Sequence, residues 1–477
     1  MVRQGRRAPA HRVRGAEPAG GSPGGLVSEG SDHLDRLHAT AAAARTRLEA
    51  TGTARWEVFA KASMSREVAV ASGQPLRVLE IEETGVAIRV WDDNRAGFSA
   101  ASGLEEDASR RAINAALSTA TPLAADPLPP ERLLGLTETR APRELPAKGW
   151  ATHAGQELDR AVASLGSGHL RLRRAVLQEG NFAWVLVTGD GWVARHKDAT
   201  TSLMAEVEVV GERAGVWRDW LHISDPQTFD IEAAAAQITD RALLIRRRVA
   251  TDSGLRDLIL HPEVAAQLLA AISPLFVAVR EEEDHLSALL DAHGRLAGPA
   301  LTLVDDRCDP EAPITGPCDG EGFPSRRTVL LDEGIPRYRL ASFRDAARCS
   351  EPARGGALRV SYRDYPSTGA ANLVVDSRAG VAAAQLLGSA DHALYLLRPL
   401  SEIEVDFAAD TYRMIASGVW LDGPQVRGWH PVVELRGSLG RLLRRIEAVG
   451  NDRRWFQTHQ GFIGAPSILV RSQPVVG

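Results

Sequence analysis

Four charged side chains crowd one short stretch of this 477-residue chain: Asp319, Glu321, Arg326 and Arg327, within Asp319-Gly320-Glu321-Gly322-Phe323-Pro324-Ser325-Arg326-Arg327. Carboxylates and guanidinium groups this close can pair with one another or grip a polar ligand through charge-assisted hydrogen bonds. The glycines admit backbone angles that other residues resist, and Pro324 stiffens the exit. The other chemistry-bearing residues are less well arranged. His261-Pro262-Glu263 has a proline between its polar members and no second histidine one turn on, which suits a helix start and not a zinc site. Asp284-His285 and His293 fit no common helical zinc spacing. Cys308 and Cys318 lack a CxxC pattern and read as unpaired thiols. No G-x-S-x-G elbow or Walker loop is present.

The charged stretch needs strands to hold it. Leu301 to Val304 is apolar and ends at Asp305 and Asp306, and Thr328 to Leu331 leaves toward an Asp332-Glu333-Gly334 turn. Upstream, Ser31 is placed to cap a helix with Leu34, Leu37, Ala41, Ala44 and Leu48 on one face. Trp56 to Ala62, Glu67 to Ala71, Gln74 to Glu82 and Gly85 to Trp91 read as four strands, the second as hairpin partner of the first. A helix follows, from a Ser102 cap through Leu117, with Leu104, Ala108, Ala112 and Ala115 inward. Residues 121–150 include a proline-rich run and read as a connection between domains. Then come a helix over Gly155 to Leu165 and strands over Leu172 to Leu177, Phe182 to Thr188, Trp192 to Arg195 and Ser202 to Val210. Next are a helix from Asp230 to Arg248 and a strand over Leu255 to Leu260. Pro262 opens a further helix and Pro274 ends or kinks it. In the last third, Arg337 to Phe343 reads as a strand and Leu439 to Ala448 as a helix.

The pattern D-x-E-G-x-P-S-R-R, followed by an apolar strand and an acid-Gly turn, resembles the TldD/PmbA family, whose paired subunits form a bacterial zinc peptidase also described as a modulator of DNA gyrase. Gly85 to Leu117, Ala370 to Val375, Ser417 to Gly423, Val449 to Asp452 and Gly461 to Val470 are similar to family segments too. The resemblance implies an α+β fold, with an N-terminal mixed α/β domain of antiparallel hairpins and a large C-terminal β-rich domain with a few helices. It divides the chain into a tail (1–30), an N-terminal domain (31–120), a linker (121–150), a central domain (151–252) and a C-terminal domain (253–477). In catalytic subunits of the family, a Leu-Leu pair precedes H-E-x-x-x-H, whose histidines bind zinc and whose glutamate acts as general base. Here Leu268-Leu269 precedes Ala270, Ala271 and, at the last position, Leu275. None of these can hold zinc or move a proton. The family's closing cysteine ligand is also missing, because the chain has no cysteine after Cys349. The resemblance therefore implies a TldE/PmbA-like subunit with no catalytic residue, no metal ligand and no cofactor of its own. Zinc is expected in a TldD-like partner, and Asp319, Glu321, Arg326 and Arg327 are expected to structure the wall of the substrate cavity.

Composition bounds the rest. Hydrophobic residues make up 44% and charged residues 25%, which suits a chain with a sizeable core in two or three domains. A net charge of −5 gives no bulk attraction to nucleic acid. No apolar run is long enough for a membrane span, and residues 1–25 are basic without the apolar core of a secretory signal, so they read as a disordered tail. Three cysteines make no disulfide framework, and a cytoplasmic location is expected. Residues Cys349 to Thr368 match the family poorly and are the natural place for altered substrate choice, as in a pair serving one biosynthetic pathway. The substrates implied are peptides or amide-containing small molecules. The competing reading is a regulatory or scaffold protein without enzymatic output.

Overall fold

The computed structural model describes residues 29–92, 95–122, 142–210, 215–250, 253–278, 284–349, 352, 354–389, 392–423 and 425–475. The tail over residues 1–28 and the linker over 123–141 lie outside the described residues.

Helix α1 (Glu29–Ala50) buries Leu37, Ala41, Ala44 and Leu48, one stripe at helical spacing. Two very long strands follow, β1 (Arg55–Ala71) and β2 (Gln74–Asp92). Four strands were expected here, with Glu67 to Ala71 folding back on Trp56 to Ala62. Instead β1 runs unbroken, because β2 pairs along one side of it and β5 along the other, leaving no backbone group to turn away for. Next come β3 (Arg95–Ser102), helix α2 (Glu106–Ser118), β4 (Thr121–Pro122) and helix α3 (Trp150–Leu165). In α2 the inward face holds Ala108, Ala112, Ile113 and Ala116, so Ala115 stands at its margin and not inside. Then β5 (Leu170–Thr188), β6 (Val193–Val209), β7 (Gly215–Ile223) and helix α4 (Ile231–Leu243) complete the first half. Each of β5 and β6 joins two of the expected strands into one.

These strands form a single sheet in the order β4-β3-β2-β1-β5-β6-β7, so the N-terminal and central segments share one sheet. The helices pack on one face of it. Helices α1 and α2 cover Val58, Ala60, Val86, Ile88 and Val185, and α3 and α4 cover Val68, Val70, Leu177, Leu203 and Ala205.

The second half is two sheets around a helix. Its elements are β8 (Gly254–Leu260), α5 (Pro262–Ile272), α6 (Leu286–Leu289), β9 (Leu303–Asp306), β10 (Arg327–Asp332), β11 (Ile335–Pro336), α7 (Phe343–Cys349), β12 (Ala357–Leu358), β13 (Ser367–Thr368), β14 (Asn372–Val375) and α8 (Ala383–Gly388). They continue with β15 (Leu394–Pro399), β16 (Glu404–Asp406), β17 (Thr411–Asp422), β18 (Gln425–Ser438), α9 (Leu439–Arg444), β19 (Ile446–Val449), β20 (Arg454–Thr458), β21 (Gly461–Ala465) and β22 (Ile468–Val475). One sheet runs β11-β10-β9-β14-β21-β20. The other runs β16-β17-β15-β8-β22-β19, with β18 on β17. This antiparallel-rich α+β arrangement agrees with the expected class.

Two expected elements differ. The strand read over Arg337 to Phe343 is absent: only isolated bridges form at Leu340 and Ala341, and helix α7 starts at Phe343, whose N–H donates to Glu321 Oε2 at 2.8 Å. The helix read over Leu439 to Ala448 stops at Arg444, and Ile446 starts β19 instead, because β22 offers it a pairing edge. Gly334 meets a hard requirement: its φ is +79° and a Cβ there would lie 2.1 Å from the Ala297 carbonyl.

Candidate functional site

Helix α5 begins as Pro262 suggests. His261 caps it, its Nδ1 accepting from the Glu263 N–H at 3.2 Å, and Pro262 stands where a backbone donor is not needed. The helix ends at Ile272, and Pro274 lies in a short 3-10 turn, Ser273–Phe276. Nine of its residues, Ala270 and Ala271 among them, are buried. It packs against β15 on one side and against β20 and β21 on the other. The helix that carries the metal motif in catalytic relatives thus meets the closing region where those relatives place their cysteine. Here that junction is a hydrocarbon cluster including Ala270, Ala271, Leu275, Phe456 and Ile463. Methyl, isobutyl and phenyl groups offer zinc no donor, so the residues present do not fit the ion. Among the described residues no group of three or more His, Cys, Asp or Glu side chains converges as a metal site.

A polar knot sits at the start of α5. Asp219 on β7 accepts from Arg241 and Arg454, each at 2.7 Å, and Arg454 also donates to the Trp220 carbonyl at 2.5 Å. Burial alone would raise the Asp219 carboxyl, but the two guanidinium groups outweigh it and hold it far below the usual range. His261 is pushed well down by burial and by the same two arginines. Burial, with the Asp219 charge adding to it, pushes the Glu263 carboxyl up to about 7. This knot pins β20 to the edge strand of the large sheet.

The helix-free face of that sheet is the second feature, and strand register defines it. Opposed residues lie on the same face, so Ile81, Ser65, Gly180 and Thr200 form one row across four strands, and Leu79, Glu67, Gln178, Ser202 and His222 form the next across five. These residues, with Trp220 on β7, Gln457 on β20 and Phe462 on β21, line a trough of about 330 Å³. The two rows make its floor and the C-terminal strands its end wall. Trp220 lies 5.9 Å from the ring of Phe456, so the wall continues into the cluster around α5. Arg66, at the trough's border, sits between Glu80 at 3.4 Å and Glu179 at 3.8 Å.

The other half of this face is closed. Segments 313–325 and 355–366 lie across it. Arg89 on β2 pairs with Glu321 at 3.1 Å, both side chains 1% exposed, and Arg359 pairs with Glu57 on β1. Burial pushes the Glu321 carboxyl up against the pull of Arg89. Tyr362 seats on Gly85, where a Cβ would lie 2.4 Å from its ring, and its hydroxyl bonds Ser102 at 2.7 Å. Arg143 tacks the chain before α3 to Asp198 at 3.1 Å, and Thr315 bonds the same carboxylate at 3.1 Å.

The four charged residues singled out in the sequence do not converge. Asp319 is buried and accepts from the N–H groups of Glu321, Phe323 and Ala357, which shapes its own loop. Glu321 clamps the loop to β2. Arg326 lies over the Phe323 ring at 4.6 Å and donates to the Arg354 carbonyl at 3.0 Å. Arg327 points elsewhere, to Asp376 at 2.8 Å, into a separate hollow with Cys308, Asp309, Arg378 and Arg453. None of the four lines the trough. Within the poorly matched stretch from Cys349 to Thr368, residues 359–363 strap the sheet, and none of the described residues there lines the trough. The trough's own residues were missed because none is chemically conspicuous. The one available signal was Gly180 in mid-strand, a residue that often marks close approach by another group. Cys308, Cys318 and Cys349 form no disulfide, and no described helix is long and apolar enough to cross a membrane.

The comparisons with known proteins agree with this picture. Residues 253–477 match the PmbA/TldA metallopeptidase C-terminal domain, and residues 56–120 match PmbA/TldA metallopeptidase domain 1. The uncharacterized protein MJ0231 of Methanocaldococcus jannaschii is 24% identical over 304 residues, which cover 61% of this chain and 67% of that protein. TldE from Thermococcus kodakarensis is similar in fold, with a TM-score of 0.76 at 16% identity over 90% of this chain and 98% of that one. A Thermotoga maritima protein named as a candidate modulator of DNA gyrase, TM0727, also gives 0.76 at 16% identity, over 92% of this chain and all of its own. The two matched domains, the shared fold and the D-x-E-G-x-P-S-R-R loop agree, and this chain belongs to the TldD/PmbA family.

Proposed function

We propose that this chain is the zinc-less subunit of a heterodimeric TldD/TldE-type metallopeptidase, shaping the substrate cavity for a zinc-binding, TldD-like partner. One observation carries the reading: α5 and the 3-10 turn after it bring Ala270, Ala271 and Leu275 to the place where the resemblance implies two histidines and a glutamate in catalytic subunits, and bury them in hydrocarbon. A buried alanine accepts no proton and holds no ion, so the hydrolytic chemistry must come from another chain. The trough is this chain's contribution to the cavity. Asp319 and Glu321 act on it at a distance, by fixing the loop that closes the rest of the face, while Arg326 and Arg327 order the loop's exit. The substrate is a peptide or an amide-containing small molecule, and three cysteines outside any disulfide suit a cytoplasmic protein.

The test is assembly. Mixed with a TldD-like zinc subunit, the purified chain should elute as a one-to-one complex in size exclusion with light scattering. A chain that stays apart from every such subunit favours the regulatory reading.

A further inference from the structure

We propose that the trough is a binding site for an uncharged, amide-bearing segment carrying a flat apolar group, with Trp220 and Phe462 as the residues that select it. The inference rests on the reading of the trough as this chain's part of the cavity, and goes further by naming what the trough prefers.

The chemistry of the lining makes the choice. The middle of the floor is small and polar: Ser65, Gly180, Thr200 and Ser202, with Gln178 beside them, between Leu79 and Ile81 at one end and His222 at the other. Hydroxyls and carboxamides can donate or accept as the ligand requires, which suits amide N–H and C=O groups. Within the described residues, the side chains of Ser65, Thr200, Ser202 and Gln457 take part in none of the hydrogen bonds that hold the chain together. Gly180 keeps the floor low, and a Cβ there would already stand 3.3 Å from Thr200 Oγ1. The end wall is aromatic. Trp220 and Phe462 are each half-buried, so they have backing from the core and ring surface left over. Trp220 is further steadied by His222, stacked at 6.5 Å with planes 20° apart. A rigid, half-buried ring is a good platform for a planar group.

Charge is already matched within the chain. Glu67, the carboxylate on the trough face, takes hydrogen bonds from Arg77 at 2.5 Å and Gln178 at 3.3 Å. Arg66 and Glu179 also border the trough, and Arg66 is balanced there by Glu80 at 3.4 Å and Glu179 at 3.8 Å. A ligand ion entering here would lose water and find no unmatched opposite charge, so a charged group is disfavoured relative to a neutral aromatic one.

The experiment uses the full chain and three probes: N-acetyl-phenylalaninamide, N-acetyl-alaninamide and N-acetyl-lysinamide, titrated by calorimetry or by NMR line broadening. The phenylalanine probe should bind about tenfold tighter than either of the others. Gly180→Val, which raises the floor without touching the wall, should weaken that binding by about tenfold, and so should Trp220→Ala. Trp220→Phe, which keeps a ring, should retain most of it. Circular dichroism and thermal melting check that each variant is folded, and Gly180→Val suits a strand, so it stands if Trp220→Ala does not. Equal binding of the three probes, no binding of any, or binding unchanged by Gly180→Val overturns the proposal. None of these outcomes bears on whether the chain pairs with a zinc subunit, which size exclusion reads separately.

Discussion

One sheet face carries two opposite designs. Toward Glu57 and Arg89 it is sealed by buried ion pairs, a tyrosine seated on a glycine and two crossing segments. Toward Ser65, Gly180 and Ser202 the same strands, in the same register, stay open and polar. The closed half has large conspicuous charges with structural work, and the open half has small side chains free to meet a ligand. In this molecule charge marks rigidity, and the binding surface is marked by restraint in side-chain size. The closed half locks the two halves of the chain together through buried ion pairs that reach from the C-terminal segments to β1 and β2.

That contrast can be broken most sharply at the closed half. Glu321→Ala removes the carboxylate that pairs with buried Arg89 at 3.1 Å, beside Trp91 and Tyr365, and should cost about 3–5 kcal/mol of unfolding free energy in denaturant titration. Arg89→Met combined with Glu321→Leu should recover most of that loss, because removing both charges removes the penalty of an orphan. A loss under 1 kcal/mol for the single change would mean that the two halves are held together elsewhere.

A smaller, pH-dependent effect is expected beyond the trough's end wall. Glu263 has a folded-state pKa raised from 4.5 to about 7, so between those values the folded chain holds a proton that the unfolded chain has released. Stability from this group therefore falls as pH rises from 4.5 through 7. Glu263→Gln should stabilise the chain at pH 8 by on the order of 2 kcal/mol and make little difference below pH 4.5, read from thermal melts across pH. The groups facing Glu263 work in the other direction. Asp219, held low by its arginines, loses its contribution only at strongly acid pH, and His261, neutral when buried, opposes folding once pH drops below 6.5. Wild-type stability should thus be greatest between these limits.

The least effect belongs to the open half. Ser202→Ala and Thr200→Ala remove hydroxyls that make no hydrogen bond among the described residues, and each should change stability by no more than about 0.5 kcal/mol. Any loss in activity of the assembled complex would then report on the ligand and not on the fold.

Much of the fold was legible because it rests on local signals. The spacing of Leu37, Ala41, Ala44 and Leu48, Pro262 after β8, and the turn at Asp332-Glu333-Gly334 each fix an element from within a few residues. The long strands were not legible as such. Gly180 and the Glu83-Thr84 pair look like breaks, and it is pairing on both sides that carries β5 through Gly180 and pairing with β1 that carries β2 through Glu83-Thr84. The absence of metal donors at Ala270, Ala271 and Leu275 was readable from the residues and the resemblance together. The trough was not, since its rows draw on strands up to about 400 residues from its end wall and no short motif spans them. The charged loop drew notice for its chemistry, yet Asp319 and Glu321 turn their carboxylates inward.

The division of labour is tested most directly by amide hydrolysis measured for the purified chain, for a zinc-loaded TldD-like subunit and for the two combined. The account predicts turnover by the combination that the zinc chelator abolishes, and none by this chain at any zinc concentration. Zinc-dependent hydrolysis by this chain alone would contradict it.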